Sequence, residues 1–164
     1  MTTSPEIKLK ELLEEFGVAM LVTHNSAGDF RARPMALADV EADGSVWFAT
    51  DRNAEKVNEL TGDNRAAVTM QSSTKFVSLT GTASLVDDRE KVRKLWKMAW
   101  SVWFPGGKDD PNILLLKVVG KEGEYWDNSG INGLKYLIAA GKALITGKRA
   151  ELDDDPKIHS KVEL

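Results

Sequence analysis

FRARPMAL, residues 30–37, alternates as a half-buried strand does, yet it carries Arg31, Arg33 and Pro34 in its middle. Proline cannot donate to a β-ladder and belongs at an edge or a bulge. Two arginines in alternate positions set two permanent positive charges on one face. Two readings follow, a solvent-facing edge strand or an anion site, and the surrounding sequence has to separate them.

Outward from this stretch the pattern stays β-rich. VAMLVTHN precedes it and SVWFAT follows, joined through SAGD and ADG, turn-forming clusters that make two consecutive hairpins. RAAVTMQS and KFVSLTGTASLV continue after a short helix, with Gly81 marking a bulge or bend. NILLLKVVG and EGEYWD return to β near the end. The expectation is a mainly β fold, a β-barrel or a sandwich, with flanking helices. Ser4-Pro5-Glu6 opens an N-terminal helix with Leu9, Leu12, Leu13 and Phe16 at helical spacing. Further helices are expected from Asp88 through about Trp103 and in GLKYLIAAGKALITGKR. Residues 1–150 read as one domain and 151–164 as a loosely held polar tail.

The chain has 164 residues, no cysteine, two histidines, and 22 lysines and arginines against 25 aspartates and glutamates. That balance predicts no nucleic-acid partner, because phosphate-backbone binders need a net basic face. The absence of a leader or a long apolar run predicts a cytoplasmic chain with no membrane partner. No metal site is expected, and no triad, nucleophile elbow or glycine-rich nucleotide fingerprint occurs. Chemistry here would therefore have to come from a cofactor.

The most informative local feature is WFATDRNAEKVNEL, residues 47–60. Asp51 or Asn53 can cap a helix through Val57 and Leu60, which sets Lys56 near its first turn, where the helix dipole disfavours a cation unless an anion lies in front. Ala49 and Thr50 end the preceding strand. The plain alternative is an exposed lysine balanced by Glu55 and Glu59. With Arg33 on the neighbouring strand, cations, a hydroxyl and a helix N-terminus converge as a phosphate monoester would need. Trp96, Trp100, Trp103 and Phe104 cluster on and just after one helical run; Trp96 reads as core, whereas the Trp103-Phe104 pair beside a Pro-Gly-Gly break suits the border of a cleft for a flat apolar ligand or a subunit contact.

RARPMAL, WFATDRNAEKVNEL, AWSVWFPGGKDDPNILLLKV and EYWD, taken together and in order, resemble the pyridoxamine 5′-phosphate oxidase-like flavoproteins, in particular their general stress protein branch. The resemblance covers about residues 5–130. It implies a six-stranded antiparallel FMN-binding split barrel and a homodimer with FMN in clefts between the subunits. Arg33 matches the strand arginine that meets the phosphate and ribityl region, and Arg31 is a neighbouring contact. Pro34, Met35 and Ala36 match the strand beside the isoalloxazine, and Ala49, Thr50 and Lys56 the strand-to-helix turn that holds the phosphate. Ala54 stands where many relatives have serine. Trp126 matches a tryptophan reaching the flavin from the partner subunit, and Trp103 and Phe104 lie in the branch's own loop.

After Trp126 the sequence DNSGINGLKYL lacks the arginine and histidine with which the true oxidases hold pyridoxine phosphate, so that reaction is not expected. What the resemblance implies is an FMN-dependent oxidoreductase of unknown substrate, with a nicotinamide as electron donor. The alternative is a non-catalytic flavin-binding or flavin-buffering protein. A haem or deazaflavin ligand is a third option, and two histidines remote from the aromatic region argue against haem.

Overall fold

The computed structural model describes residues 4–149 and 155–164. Helix α1 (Pro5–Glu15) starts where Ser4 Oγ accepts from the Ile7 amide at 3.4 Å. Strands β1 (Val18–His24), β2 (Phe30–Val40) and β3 (Val46–Asp51) follow as the two expected hairpins, then α2 (Glu55–Gly62), β4 (Arg65–Gln71) and β5 (Lys75–Val86). Helix α3 (Arg89–Leu95), strand β6 (Ile113–Asp127), helix α4 (Gly130–Thr146) and strand β7 (His159–Glu163) complete the chain.

The sheet runs β3-β2-β1-β4-β5-β6-β7, and β3 also pairs with β6, so six antiparallel strands close into a barrel with β7 outside the ring. Closure joins Val46 to Val118 and Asp51 to Ile113. Alternation sorts the side chains. Val46, Phe48, Leu116 and Val118 point into the barrel with Leu21, Val68, Leu79 and Tyr125, while α1 closes the core with Leu9, Leu12 and Leu13. Each such buried side chain contributes about 1.5–3 kcal/mol relative to exposure. Trp47, Ile113 and Leu115 point outward and make a second, smaller core with Val92, Trp100 and Phe104.

Two irregularities shape the ring. The β2–β3 register shifts between Leu37 and Asp39, so that Leu37 and Val40, three residues apart, both meet the barrel core while Ala38 faces the outer one. The β5–β6 register shifts between Thr80 and Gly81, where the sequence expects a bulge. A Cβ on Gly81 would run into the carbonyl oxygen of Val119, which is why glycine stands there. Pro34 is also explained. Residues 30–36 of β2 pair with β1 alone, and β3 joins only from Leu37, so the proline lies on a half-strand with one open edge.

Two expectations need correction. The helix after Asp88 stops at Leu95 and gives way to a 3-10 turn over Met98–Val102. Trp96 leaves the helical conformation, and its indole meets Trp100 edge-on at 5.8 Å between ring centroids, so the aromatic packing overrides the helical periodicity. The segment read as a loose tail carries β7, which pairs along Glu122–Trp126 and buries Ile158 and Val162. Residues 151–154 of that segment lie outside the described residues.

Candidate ligand groove

Four elements meet at a groove of about 350 Å³, within the range of small-molecule sites. Pro34, Met35 and Ala36 of β2 form its floor, Ala49, Thr50 and Asp51 at the end of β3 its head, and Trp100, Trp103 and Phe104 its aromatic wall. Lys56 of α2 reaches in beside Thr50. Trp100 and Phe104 are buried in the outer core, so this wall is braced from behind, whereas Trp103 stands exposed at the rim.

The turn before α2 is built so that its helix end is left bare. Asp51 accepts from the Asn53 amide at 2.7 Å and the Arg52 amide bonds Asn112 O at 2.8 Å, fixing the strand exit. The N-cap is Ala54, in place of the expected Asp51 or Asn53, and it offers no side-chain acceptor to the first helical amides. In front of this uncapped end Lys56 Nζ donates to Thr50 Oγ1 at 3.2 Å. Burial, and next the charge of Arg33, pull the Lys56 ammonium below its ordinary value. The corner therefore presents a half-buried cation whose polar partner is a neutral hydroxyl.

The two arginines are placed differently from the sequence expectation. Arg33 turns from the groove to Thr23 Oγ1 at 2.5 Å and Glu59 Oε2 at 2.7 Å, and Thr23 itself donates to Glu59 Oε2 at 2.5 Å. Arg31 pairs with Glu55 at 3.2 Å on the surface. Glu59 is thus no solvated counter-charge but a buried partner, with Oε1 left without a hydrogen bond. Burial works to raise its carboxyl, yet the Thr23 and Arg33 bonds outweigh it and hold it below the ordinary carboxylate value. Among the described residues Arg31 and Arg33 are matched by acids while Lys56 makes no ion pair.

Of the residues singled out from sequence, Pro34, Met35, Ala36, Ala49, Thr50, Lys56, Trp103 and Phe104 come together at the groove. Arg31, Arg33 and Ala54 flank it without lining it. Trp126 lies near the far end of β6, stacked on His159 at 5.2 Å and 10° between planes, and takes no part in the groove of its own chain. Sequence reading missed the wall residue Trp100 and the Thr23–Glu59 pair. Thr23 pairs with Arg31 across β1–β2, which makes it the diagonal neighbour of Arg33 on the same face, a relation visible only once register is known.

The residues fit a phosphate-bearing flat ligand: bare amides and an unpaired ammonium at one end, apolar and aromatic surface along the rest. The chain is also similar to known proteins. The protein bli-3 of Neurospora crassa is 31% identical over 148 residues, covering 82% of this chain and 70% of its own length. A general stress FMN/FAD binding protein from Xanthomonas citri superposes with a TM-score of 0.64 at 27% identity, over 75% of this chain and 91% of that one. A putative general stress protein 26 from Jannaschia sp. CCS1 matches in fold over 96% of both chains, with a TM-score of 0.71 and 24% identity. The sequence profile described as "Pyridoxamine 5'-phosphate oxidase like" matches residues 5–151, and the chain belongs to that family.

Proposed function

We propose that this chain binds FMN in the groove and serves as a flavin-dependent oxidoreductase outside vitamin B6 oxidation, working as a cytoplasmic homodimer with a nicotinamide donor. The observation that carries the reading is Lys56, a half-buried cation with no acid partner among the described residues, at the head of a groove walled by aromatics. In this reading Lys56, Thr50 and the first amides of α2 hold the phosphate. Pro34 to Ala36 and the Trp100–Phe104 wall hold the ring and keep water from one of its faces. The flavin-binding description of the Xanthomonas citri neighbour supports the ligand class. Bound flavin would supply the electron transfer, and the chain its position and its surroundings.

A second reading, a non-catalytic flavin binder, is favoured by the poverty of proton-transfer groups. Asp51 and Lys56 are the only acid or base side chains among the groove's residues. The visible spectrum of the purified protein, before and after loading with FMN and desalting, tests both. About one retained flavin per chain is expected, and its bleaching by NADH or NADPH without oxygen favours the oxidoreductase. Retained flavin that neither nicotinamide reduces favours the binder. Lys56→Ala, which removes a charge-assisted bond, is expected to weaken FMN binding about 10- to 100-fold. No retained flavin in the parent chain, or unchanged affinity in the variant, rejects the phosphate corner.

A further inference from the structure

The aromatic wall of the groove continues outside it as an apolar rim. Trp103 lines the groove and is 66% exposed, and Met98 and Val102, on the 3-10 turn just before it, are 77% and 79% exposed. Cations surround this rim. Lys97 stands at the start of the turn, Lys108 lies in a second 3-10 turn (Gly107–Asp109), and Arg93 and Lys94 belong to the last turn of α3.

Residues 93–110 hold these four basic side chains against two acids, in a chain whose net charge is -3. The two acids leave the lysines unmatched. Asp110 is buried and accepts from the Gly106 and Asn112 amides, and Asp109 bonds Arg93 at 2.7 Å. Lys94, Lys97 and Lys108 have no acid partner among the described residues. Lys97 is also held in place, because its Nζ donates to the Leu37 carbonyl oxygen at 2.9 Å, next to the groove floor that ends at Ala36. That bond leaves the ammonium uncompensated and with donors to spare.

An exposed indole among unmatched ammonium groups suits a ligand that is flat in one part and multiply anionic in another. Size narrows the class. Asp88 and Glu90 at the start of α3 and Asp109 beside Lys108 are all exposed, and α3 is only about 10 Å long. An anionic membrane would meet these acids together with the lysines, whereas a single nucleotide fits between them. Trp103 belongs to both groove and rim, so a ligand on the rim borders whatever fills the groove. We propose that the rim holds the adenosine end of the nicotinamide donor, with adenine stacked on Trp103 and the pyrophosphate and a 2′-phosphate on Lys97 and Lys108. The spare cations reward the extra phosphate, so NADPH is taken in preference to NADH. That the nucleotide is an electron donor rests on the flavin reading of the groove; the chemistry of the rim does not.

Adenosine 2′,5′-bisphosphate carries phosphates without the nicotinamide and so reads the rim apart from any electron transfer. Titration calorimetry of the purified full chain, with FMN in excess, is expected to show it binding about 10-fold more tightly than 5′-AMP, and more weakly as salt rises. Trp103→Ala is expected to weaken it about 10- to 100-fold through the lost stack. Lys97→Ala, and Lys108→Glu on an exposed turn, are expected to remove most of its advantage over 5′-AMP. No binding, displacement by FMN, or unchanged affinity in all three variants overturns the proposal. So does a mass in light scattering that falls with Trp103→Ala, which makes the rim a contact between copies, or Lys108-dependent sedimentation with phosphatidylserine vesicles in place of nucleotide binding. A chain that retains FMN yet ignores the bisphosphate keeps the groove and loses the rim. One that binds the bisphosphate but no FMN rejects the flavin site and leaves the rim standing.

Discussion

Glu59 sits three residues after Lys56 on α2, so both side chains leave the same face of the helix. One is a cation with no acid partner, the other a buried acid that already holds Arg33. A phosphate arriving at Lys56 therefore meets a corner in which Glu59 has cancelled the nearest guanidinium. Glu59→Gln is expected to cost about 1–3 kcal/mol of stability, less than for a fully buried pair because Arg33 keeps some solvent contact. It is expected to tighten FMN several-fold and leave riboflavin, which has no phosphate, unchanged. Urea midpoints and flavin fluorescence titrations read the two effects, and equal shifts for both flavins would dissociate Glu59 from the phosphate. Lys56 and Thr50 were legible in sequence because strand end, turn and helix start are contiguous. Glu59 was not, because a glutamate on a short polar helix reads as solvated until Thr23, 36 residues earlier, is known to face it.

At the scale of elements, the bulge at Gly81 lies where β6 changes partners. The first part of β6 pairs with β3 as far as Val118 and its last residues with β7 from Glu122, while β5 runs beside it from Leu115 to Asp127. Gly81→Ala forces a methyl group against the Val119 carbonyl and is expected to destabilise by about 1–3 kcal/mol. A urea midpoint equal to that of the parent would mean that the bulge yields freely. Gly81 could be read from sequence as an isolated glycine in a strand pattern. Strand β7 could not, since ELDDDPKIHSKVEL is mostly polar and, among its described residues, only Ile158 and Val162 are buried. The 3-10 turn was hidden for another reason: tryptophans at helical spacing satisfy a helix and a packed aromatic pair equally well.

For the molecule as a whole, barrel closure joins residues 72 apart, Val46 and Val118, and no local periodicity announces that pairing. Alternation left a barrel or a sandwich, and the residue pattern of a known family chose the barrel and its strand number. Glu41 couples the barrel to the outer helix, bonding Lys117 of β6 at 2.7 Å and Lys91 of α3 at 3.1 Å. The Lys117 bond, above all, lowers its carboxyl from 4.5 to about 2. A carboxyl whose folded value lies below its unfolded one stabilises the fold above the unfolded value and loses that contribution as pH falls through the folded one. Stability is thus expected to drop between about pH 4.5 and 2, and Glu41→Gln to flatten that part of the profile. Parallel profiles for the two proteins in acid denaturation would exclude Glu41 as the source. The same lysines lie over the Trp47 ring, at 4.1 and 5.3 Å, so the variant should also alter tryptophan emission.

The half-strand from Phe30 to Ala36 leaves one row of backbone groups without a neighbouring strand among the described residues. Such a row is a template on which chains of the same kind can stack into growing sheets. Pro34 interrupts the row by withholding a donor, and the Arg31–Glu55 and Arg33–Glu59 pairs tie the strand's charged side chains to α2 of the same chain. The proline that made FRARPMAL look ill-suited to a strand thus also makes its open edge a poor template for edge-to-edge pairing of copies.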